Sequence, residues 1–183
     1  MKLDPGRAAL VVIDVQEAFR KVVPDFDRVA LASATLIGGA RAMGIPVVVT
    51  EQYPTGLGET VPAVVEALPA GVHPLEKLCF AASEADGFDL GGRDQVLLCG
   101  VETHVCVNQT ALDLLDRGVE VHVAGDAVGS RFEENRQVGL EKMERAGAVI
   151  TSVETALFEL LGRAGTDEFK AVQKLVLEYA PNP

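Results

Sequence analysis

Five short runs of apolar residues divide the chain, and each is rich in β-branched side chains. They cover residues 8–13, 47–50, 95–99, 119–123 and 148–151. Continuous apolar runs of this length are typical of strands that are buried on both faces of a sheet. A less regular stretch around residues 73–80 has room for one more short strand that ends near Lys77. These runs therefore predict a central β-sheet.

Segments with a helical spacing of apolar residues separate the predicted strands. They cover residues 26–43, 60–68, 104–117, 132–146, 153–161 and 167–177. Gly44, Gly118 and Gly147 stand where a helix should end before the next strand begins. Strands that alternate with helices are typical of parallel βαβ units. We therefore expect a three-layer α/β/α fold with a mostly parallel central sheet.

Length and charge narrow the range of functions. A chain of 183 residues has the size of one domain, so we expect a single domain over residues 1–183. The formal net charge is −11, whereas nucleic-acid binding relies on clustered Lys and Arg. We therefore expect a small-molecule partner and no nucleic acid.

The sequence also indicates where the protein is located and whether its cysteines form disulfides. No apolar run approaches the roughly 18 residues that span a bilayer, and residues 1–6 lack the layout of a signal peptide. We expect a soluble protein of the cytoplasm with no membrane partner. The three cysteines form no C-x-x-C pair, so neither a disulfide framework nor a zinc site is predicted.

Ligands of open parallel sheets bind beyond the carboxyl ends of the strands. Asp14 follows the first predicted strand, residues 51–53 follow the second, residues 100–106 follow the run 95–99, and Asp126 follows the run 119–123. A carboxylate that emerges directly after an apolar run, as Asp14 does, suits proton transfer. An Asp that caps the next turn explains the same position equally well.

Cys106 lies in GVETHVCV, where a strand gives way to a helix that Thr103 is expected to cap. The first turn of a helix favours a thiolate, and its free N–H groups can bind an oxyanion. The alternative is a cysteine that fills space as a small hydrophobe, which is our interpretation of Cys79 and Cys99. Lys77 would by default be a solvated lysine, yet a cation beside a thiol and a carboxylate would stabilise the thiolate.

Cofactor motifs are missing from the sequence. There is no H-E-x-x-H, no cluster of histidines, no G-x-G-x-x-G and no Walker A loop after the first strand. We therefore expect neither a metal nor a nucleotide cofactor.

Three motifs in order, VVIDVQEAF, EKLCF and GVETHVCV, make the chain similar to the isochorismatase-like cysteine hydrolase superfamily. Further phrases, such as TEQYPTGLGETVP and LDLLDRGVEVHVAGDAVGSR, resemble the isochorismatase domain-containing protein 2 subgroup. The resemblance covers nearly the whole chain. It implies an isochorismatase-like fold with Rossmann-like topology.

The resemblance also implies roles for single residues. Cys106 would be the nucleophile, Asp14 the general base and Lys77 the cation between them. A cis peptide bond would join Val101 to Glu102, so that the N–H groups of Glu102 and Cys106 bind the oxyanion. The reaction would proceed through a thioester.

Two departures from the family pattern limit the substrate. Nicotinamidases of the superfamily bind a metal through an Asp and histidines after the second strand, whereas this chain has TEQYP at residues 50–54. True isochorismatases cleave a vinyl ether without a cysteine nucleophile. We therefore expect no metal, and an amide or ureido C–N bond as the target. A catalytically idle member that binds a ligand or partner in the same pocket is the alternative.

Contacts with the substrate and between copies are expected at the rim of the site. The substrate-binding residues expected from their motif positions are Phe19, Gln52, Tyr53 and Phe80. Residues 54–58 are expected to form part of a lid. The high apolar fraction of 48% and the family habit both indicate a homo-oligomer.

Overall fold

The computed structural model describes residues 1–179 of the 183. In this range six parallel strands form a single sheet in the order β3-β2-β1-β4-β5-β6. The strands are β1 (Ala8–Ile13), β2 (Val47–Gln52), β3 (Leu75–Lys77), β4 (Gln95–Val101), β5 (Glu120–Gly129) and β6 (Val149–Thr151).

Seven α-helices are found among the described residues. They are α1 (Phe26–Ala42), α2 (Pro54–Leu57), α3 (Pro62–Ala67), α4 (Asn108–Asp116), α5 (Glu133–Arg145), α6 (Val153–Leu161) and α7 (Asp167–Tyr179). Short 3-10 turns occupy Glu17–Lys21 and Ala82–Glu84, and one π-helical turn occupies Thr103–Val107. The π-turn directly precedes α4 and carries Cys106.

The helices form two layers because each buried strand presents alternate side chains to opposite faces. Leu10 and Val12 of β1 pack in one core with α1, α3, α6 and α7. Val11 and Ile13 pack in the other core with α4 and α5. The predicted three-layer α/β/α fold with a parallel sheet is thus confirmed.

The strand order places a crevice at the end of β1. From β1 the sheet grows through β2 and β3 on one side and through β4, β5 and β6 on the other. Ligand sites of doubly wound sheets lie where the direction of growth reverses, beyond the carboxyl ends of the strands. The segments that follow β1 and β4 therefore flank the expected site.

One element differs from its prediction in a way that changes a candidate residue. β5 continues to Gly129, and its pairing with β4 shifts register between Leu98 and Gly100. Asp126 consequently lies inside β5 rather than after it. Its carboxylate accepts hydrogen bonds from the Val153 N–H (2.8 Å) and the Tyr179 hydroxyl (3.3 Å). The expected position of Asp126 after the strand is therefore wrong, and its carboxylate joins the sheet to α6 and α7.

Gly100 allows β4 to approach β1 closely at the base of the crevice. Its φ is +116°, and a Cβ there would overlap the backbone of Ile13. Neither strand can move aside, because the two strands are hydrogen-bonded neighbours in the sheet. Only glycine fits this position.

We predict that Gly100→Ala lowers the free energy of unfolding by about 3 kcal/mol or more. Gly118→Ala is the matched control, since Gly118 also has a positive φ (+79°) but a Cβ added there would have no atom within 4 Å. Its cost should be the backbone strain alone, about 1 to 2 kcal/mol. Urea unfolding measures both values, and equal losses would show that the approach to Ile13 does not matter.

Candidate active site

Asp14 follows β1 directly and is fully buried. Its backbone adopts a left-handed conformation, with φ of +54°, which turns the chain out of the strand. Each carboxylate oxygen accepts one hydrogen bond. Oδ1 accepts from the Thr50 hydroxyl and Oδ2 from the Lys77 ammonium, both at 2.7 Å. The prediction that Asp14 lies at the rim of the sheet is confirmed.

Lys77 reaches Asp14 from the far side of β2. It ends β3, opposite Gln52 in the register of the sheet, and its side chain has no exposed surface. Besides Asp14, the ammonium donates to Gln52 Oε1 at 2.7 Å and to the carbonyls of Phe80 (3.1 Å) and Cys79 (3.3 Å). A solvated surface lysine, the default interpretation of the sequence, is therefore wrong.

Cys106 is held in the π-turn, and only 5% of it is exposed. Its carbonyl accepts from the Thr110 hydroxyl (2.7 Å), and that hydroxyl accepts in turn from the Ala82 N–H (2.8 Å). The turn lies against α5 at Gly139, where a Cβ would come within 2.9 Å of the His104 Cα. These contacts fix the position of the thiol.

The surroundings of the Cys106 thiol oppose its ionisation. Burial raises the pKa of Cys106 above its usual value, and the nearby negative charge of Asp14 raises it further. The Lys77 charge and the Glu102 backbone N–H lower the pKa, but by less. Burial and the Asp14 carboxylate thus act against the thiolate that the start of a helix favours. Because Asp14 and Lys77 both act on the pKa of Cys106, the three side chains lie close together in the structure.

Glu102 lies between β4 and the π-turn, and the peptide bond that joins Val101 to it is cis, as expected. Its backbone N–H lies close enough to the Cys106 sulfur to lower the pKa of the thiol. Thr103 does not cap the helix as expected, since its buried hydroxyl has no hydrogen-bond partner among the described residues.

The four expected substrate contacts divide into two groups. Gln52 and Phe19 are used by the protein itself, because the Gln52 amide bonds Lys77 and the Leu78 carbonyl (2.9 Å) while Phe19 packs against the core. Tyr53 and Phe80 are about half exposed, at 53% and 51%. Tyr53 also lines a cavity of about 540 Å³ together with Leu78 and Cys79. Residues 54–57 of the expected lid form the short helix α2.

Thr50 and Gln16 support the site, although the sequence assigns no role to either residue. Thr50 bonds Asp14, and Gln16 spans the loop after β2 by accepting from the Gln52 N–H (2.8 Å) and donating to the Gly58 carbonyl (2.6 Å). Gln16 stands in the motif VVIDVQEAF, which is a signal for it. Thr50 has no such signal, because a Thr at the end of an apolar run is an ordinary strand residue.

The segment TEQYP, residues 50–54, lies at the end of β2 and the start of the following loop, and its polar side chains Thr50, Glu51 and Gln52 bond the protein rather than being free as ligands. The Glu51 carboxylate accepts from the Thr60 N–H at 2.5 Å. Within residues 1–179, no three His, Cys, Asp or Glu side chains are grouped so that they could hold a metal ion. In the same range, no helix is long and apolar enough to cross a membrane.

A family model for the isochorismatase domain matches residues 8–155 of the chain. The chain belongs to the isochorismatase family. A bovine member, isochorismatase domain-containing protein 2, is 45% identical over 181 residues, which cover 97% of this chain and 87% of the bovine protein. The expected subgroup is thus confirmed.

Solved structures of isochorismatase-fold proteins agree with this assignment. The structure of a protein named MAR1 ribonuclease, from Caenorhabditis elegans, is 41% identical with a TM-score of 0.92, and covers 100% of this chain and 95% of the other. The YcaC gene product of Escherichia coli, described as an octameric hydrolase of unknown specificity, is 26% identical with a TM-score of 0.86, at 98% and 93% coverage.

In this isochorismatase domain we predict that Asp14→Asn speeds alkylation of Cys106 at neutral pH. Removing the negative charge lowers the thiol pKa, because a thiolate then becomes the only anion that can pair with buried Lys77. The rate in the unchanged protein should still rise with pH above about 8.5, the usual pKa of a thiol. Iodoacetamide labelling between about pH 5 and 10, mapped by mass spectrometry, measures both.

Cys99 provides an internal control in the same experiment. It is fully buried, which raises its pKa to about 12, so it should stay unlabelled while the protein is folded. Slower labelling of Cys106 in the Asp14→Asn variant would contradict the assignment of the raised thiol pKa to the Asp14 charge.

Proposed function

We propose that the chain is a cysteine hydrolase that cleaves an amide or ureido C–N bond of a small molecule without a metal. The observation that carries the proposal is the position of buried Asp14, which is bonded to Lys77 and acts electrostatically on the Cys106 thiol. A carboxylate and a cation beside a nucleophile are the groups that acyl transfer by a protonated thiol requires.

In the first half of the reaction Asp14 removes the thiol proton as the Cys106 sulfur attacks the carbonyl carbon. The tetrahedral oxyanion accepts hydrogen bonds from the N–H groups of Glu102 and Cys106. Asp14 then returns the proton to the leaving nitrogen, so ammonia or an amine departs when the C–N bond breaks. A thioester on Cys106 remains.

In the second half, water attacks the thioester carbonyl while Asp14 accepts a proton from it. The C–S bond breaks, the sulfur regains its proton, and the acid is released. Lys77 stays charged throughout and stabilises first the Asp14 carboxylate and then the Cys106 thiolate. Two products leave in separate steps, so we expect ping-pong kinetics.

We propose a small substrate rather than RNA, although three relatives of solved structure, from Caenorhabditis elegans and two Leishmania species, carry the word ribonuclease in their names. The net charge of −11 repels a polyanion, and the Lys77 ammonium at the site is buried on its own protein partners. Exposed Tyr53 and Phe80 are proposed to contact the apolar part of the substrate.

A binding protein without turnover is the second candidate. The raised pKa of the Cys106 thiol favours it, because a spectator cysteine in the same place would also stay protonated. Formation of an acyl-enzyme separates the two functions, since only a nucleophile forms one.

We predict that a panel of small amides and ureides, with an RNA oligonucleotide included, yields a substrate that acylates Cys106. Cys106→Ala should lower turnover by at least about a thousandfold and remove the acyl adduct seen by intact mass spectrometry. EDTA should change neither result.

Cys79→Ala is the matched control for this experiment. It removes the partly exposed thiol next to the site but keeps the carbonyl that accepts from Lys77. Turnover by Cys106→Ala would show that Cys106 is not the nucleophile. Loss of activity with EDTA would show that the reaction needs a metal. If no compound forms an adduct, the binding protein is favoured.

We also propose that the protein forms a homo-oligomer in the cytoplasm, where reducing conditions keep a thiol nucleophile free. Exposed apolar side chains support assembly, among them Tyr53, Leu78, Phe80, Phe132 and Val138. The E. coli relative is described as an octamer. Light scattering should give a mass that is a multiple of 19.3 kDa, and a monomer at micromolar concentration would contradict the proposal.

A further inference from the structure

Arg131 holds the carboxylate of Glu102 from the loop between β5 and α5. Glu102 Oε1 accepts two hydrogen bonds from this one residue, from its backbone N–H at 2.9 Å and from its side-chain Nε–H at 3.1 Å. The Glu102 side chain is 8% exposed and that of Arg131 is 51% exposed. The carboxylate is therefore nearly buried, and the loop supplies its donors.

The main chain of Glu102 is joined to the nucleophile's own turn. Its carbonyl accepts from the N–H groups of Val105 (3.0 Å) and Val107 (3.2 Å), on either side of Cys106. Its N–H lies close enough to the Cys106 sulfur to act on the thiol. A rotation of Glu102 would consequently redirect one of the two proposed oxyanion donors.

The same loop contacts the π-turn at a second point. His104 Nδ1 and the Ser130 hydroxyl lie 3.0 Å apart, one residue from the Arg131 contact. The loop therefore contacts Glu102 and the π-turn through two adjacent residues, Arg131 and Ser130.

We propose that Arg131 is a positioning residue for the oxyanion hole, and that it fixes the direction of the Glu102 N–H by holding the Glu102 carboxylate. The inference rests on the acyl transfer proposed above. Without the Arg131 side chain, a nearly buried carboxylate keeps one of its two donors and turns toward water to regain the other. The attached N–H then points less accurately at the oxyanion.

Two reagents that react with the same sulfur test this role. With p-nitrophenyl acetate, a C–S bond forms and the C–O bond to p-nitrophenolate breaks through a tetrahedral oxyanion, while the thiol proton passes to Asp14. With iodoacetamide, the sulfur displaces iodide and no oxyanion forms. Loss of the Glu102 N–H as an oxyanion donor therefore affects the first rate much more than the second, which it influences only through the pKa of the thiol. A displaced thiol affects both rates strongly.

We predict that Arg131→Ala slows acetylation of Cys106 about tenfold and changes the rate of its alkylation less than about twofold. The expected loss in acetylation is smaller than that caused by deleting an oxyanion donor outright. Glu102→Ala removes both hydrogen bonds and should slow acetylation more. Glu102→Gln keeps an oxygen that accepts from Arg131 and should lose less than Glu102→Ala. Arg145→Ala, on an arginine whose side chain is 81% exposed and pairs with Glu141, is the control and should alter neither rate.

The rates at Cys106 are measured by mass spectrometry of the full chain. If Arg131→Ala slows both reactions, the role of Arg131 is structural and the proposal is wrong. The proposal is also wrong if Arg131→Ala slows neither reaction. If the unchanged protein is alkylated but not acetylated, the proposed acyl transfer itself is wrong. Failure of the positioning role alone is recognised by normal acetylation in both the unchanged protein and Arg131→Ala.

Discussion

The ion pair between Asp14 and Lys77 is the interaction on which the site depends. Both side chains are without exposed surface. Removing a charge from water costs several kcal/mol, which is offset only when the partner is close and the remaining hydrogen-bonding groups are satisfied. Here the Thr50 hydroxyl donates to the second oxygen of the carboxylate. Gln52 and two backbone carbonyls accept the remaining hydrogen bonds of the ammonium. Because these groups come from β1, β2 and β3, the charges are stable only in the assembled sheet.

In the proposed reaction the same pair accounts for the use of a protonated thiol as a nucleophile. That reaction starts from one carboxylate, one ammonium and a neutral thiol. When the proton moves from Cys106 to Asp14, the site holds one thiolate, one ammonium and a neutral acid. The number of buried charges is unchanged, so Lys77 pairs with an anion before and after the transfer. A thiol kept neutral until then is also less exposed to oxidation than a resting thiolate.

The sequence predicts those features that have a local cause. The bounds of β1 and α6 agree with the prediction, because an apolar run or a helical spacing lies wholly within each element. Asp14 is recognisable because it directly follows such a run. Lys77 is selected by its motif and by the chemistry of a neighbouring thiol, not by any pattern that indicates burial.

Features that depend on distant contacts are missed or misjudged from the sequence. Glu102 and Arg131 are 29 residues apart, and no spacing rule joins them. The pKa of Cys106 is raised by burial and by a carboxylate that follows β1, so its place at a helix start does not by itself give the direction of the shift. Asp126 is misplaced because the predicted run before it ends at Val123, although the strand continues to Gly129.

The proposed catalytic groups are buried, whereas the proposed substrate contacts are exposed, and this separation bears on how specificity can change. Asp14, Lys77 and Cys106 are buried and contribute to packing or charge pairing, so a substitution there affects stability as well as chemistry. Tyr53 and Phe80 are half exposed on the loops that follow β2 and β3. Their side chains carry no ion pair, so replacing them changes the surface offered to a substrate at little cost in stability. In the proposed enzyme, substrate choice can therefore vary on these loops while the buried pair keeps the reaction the same.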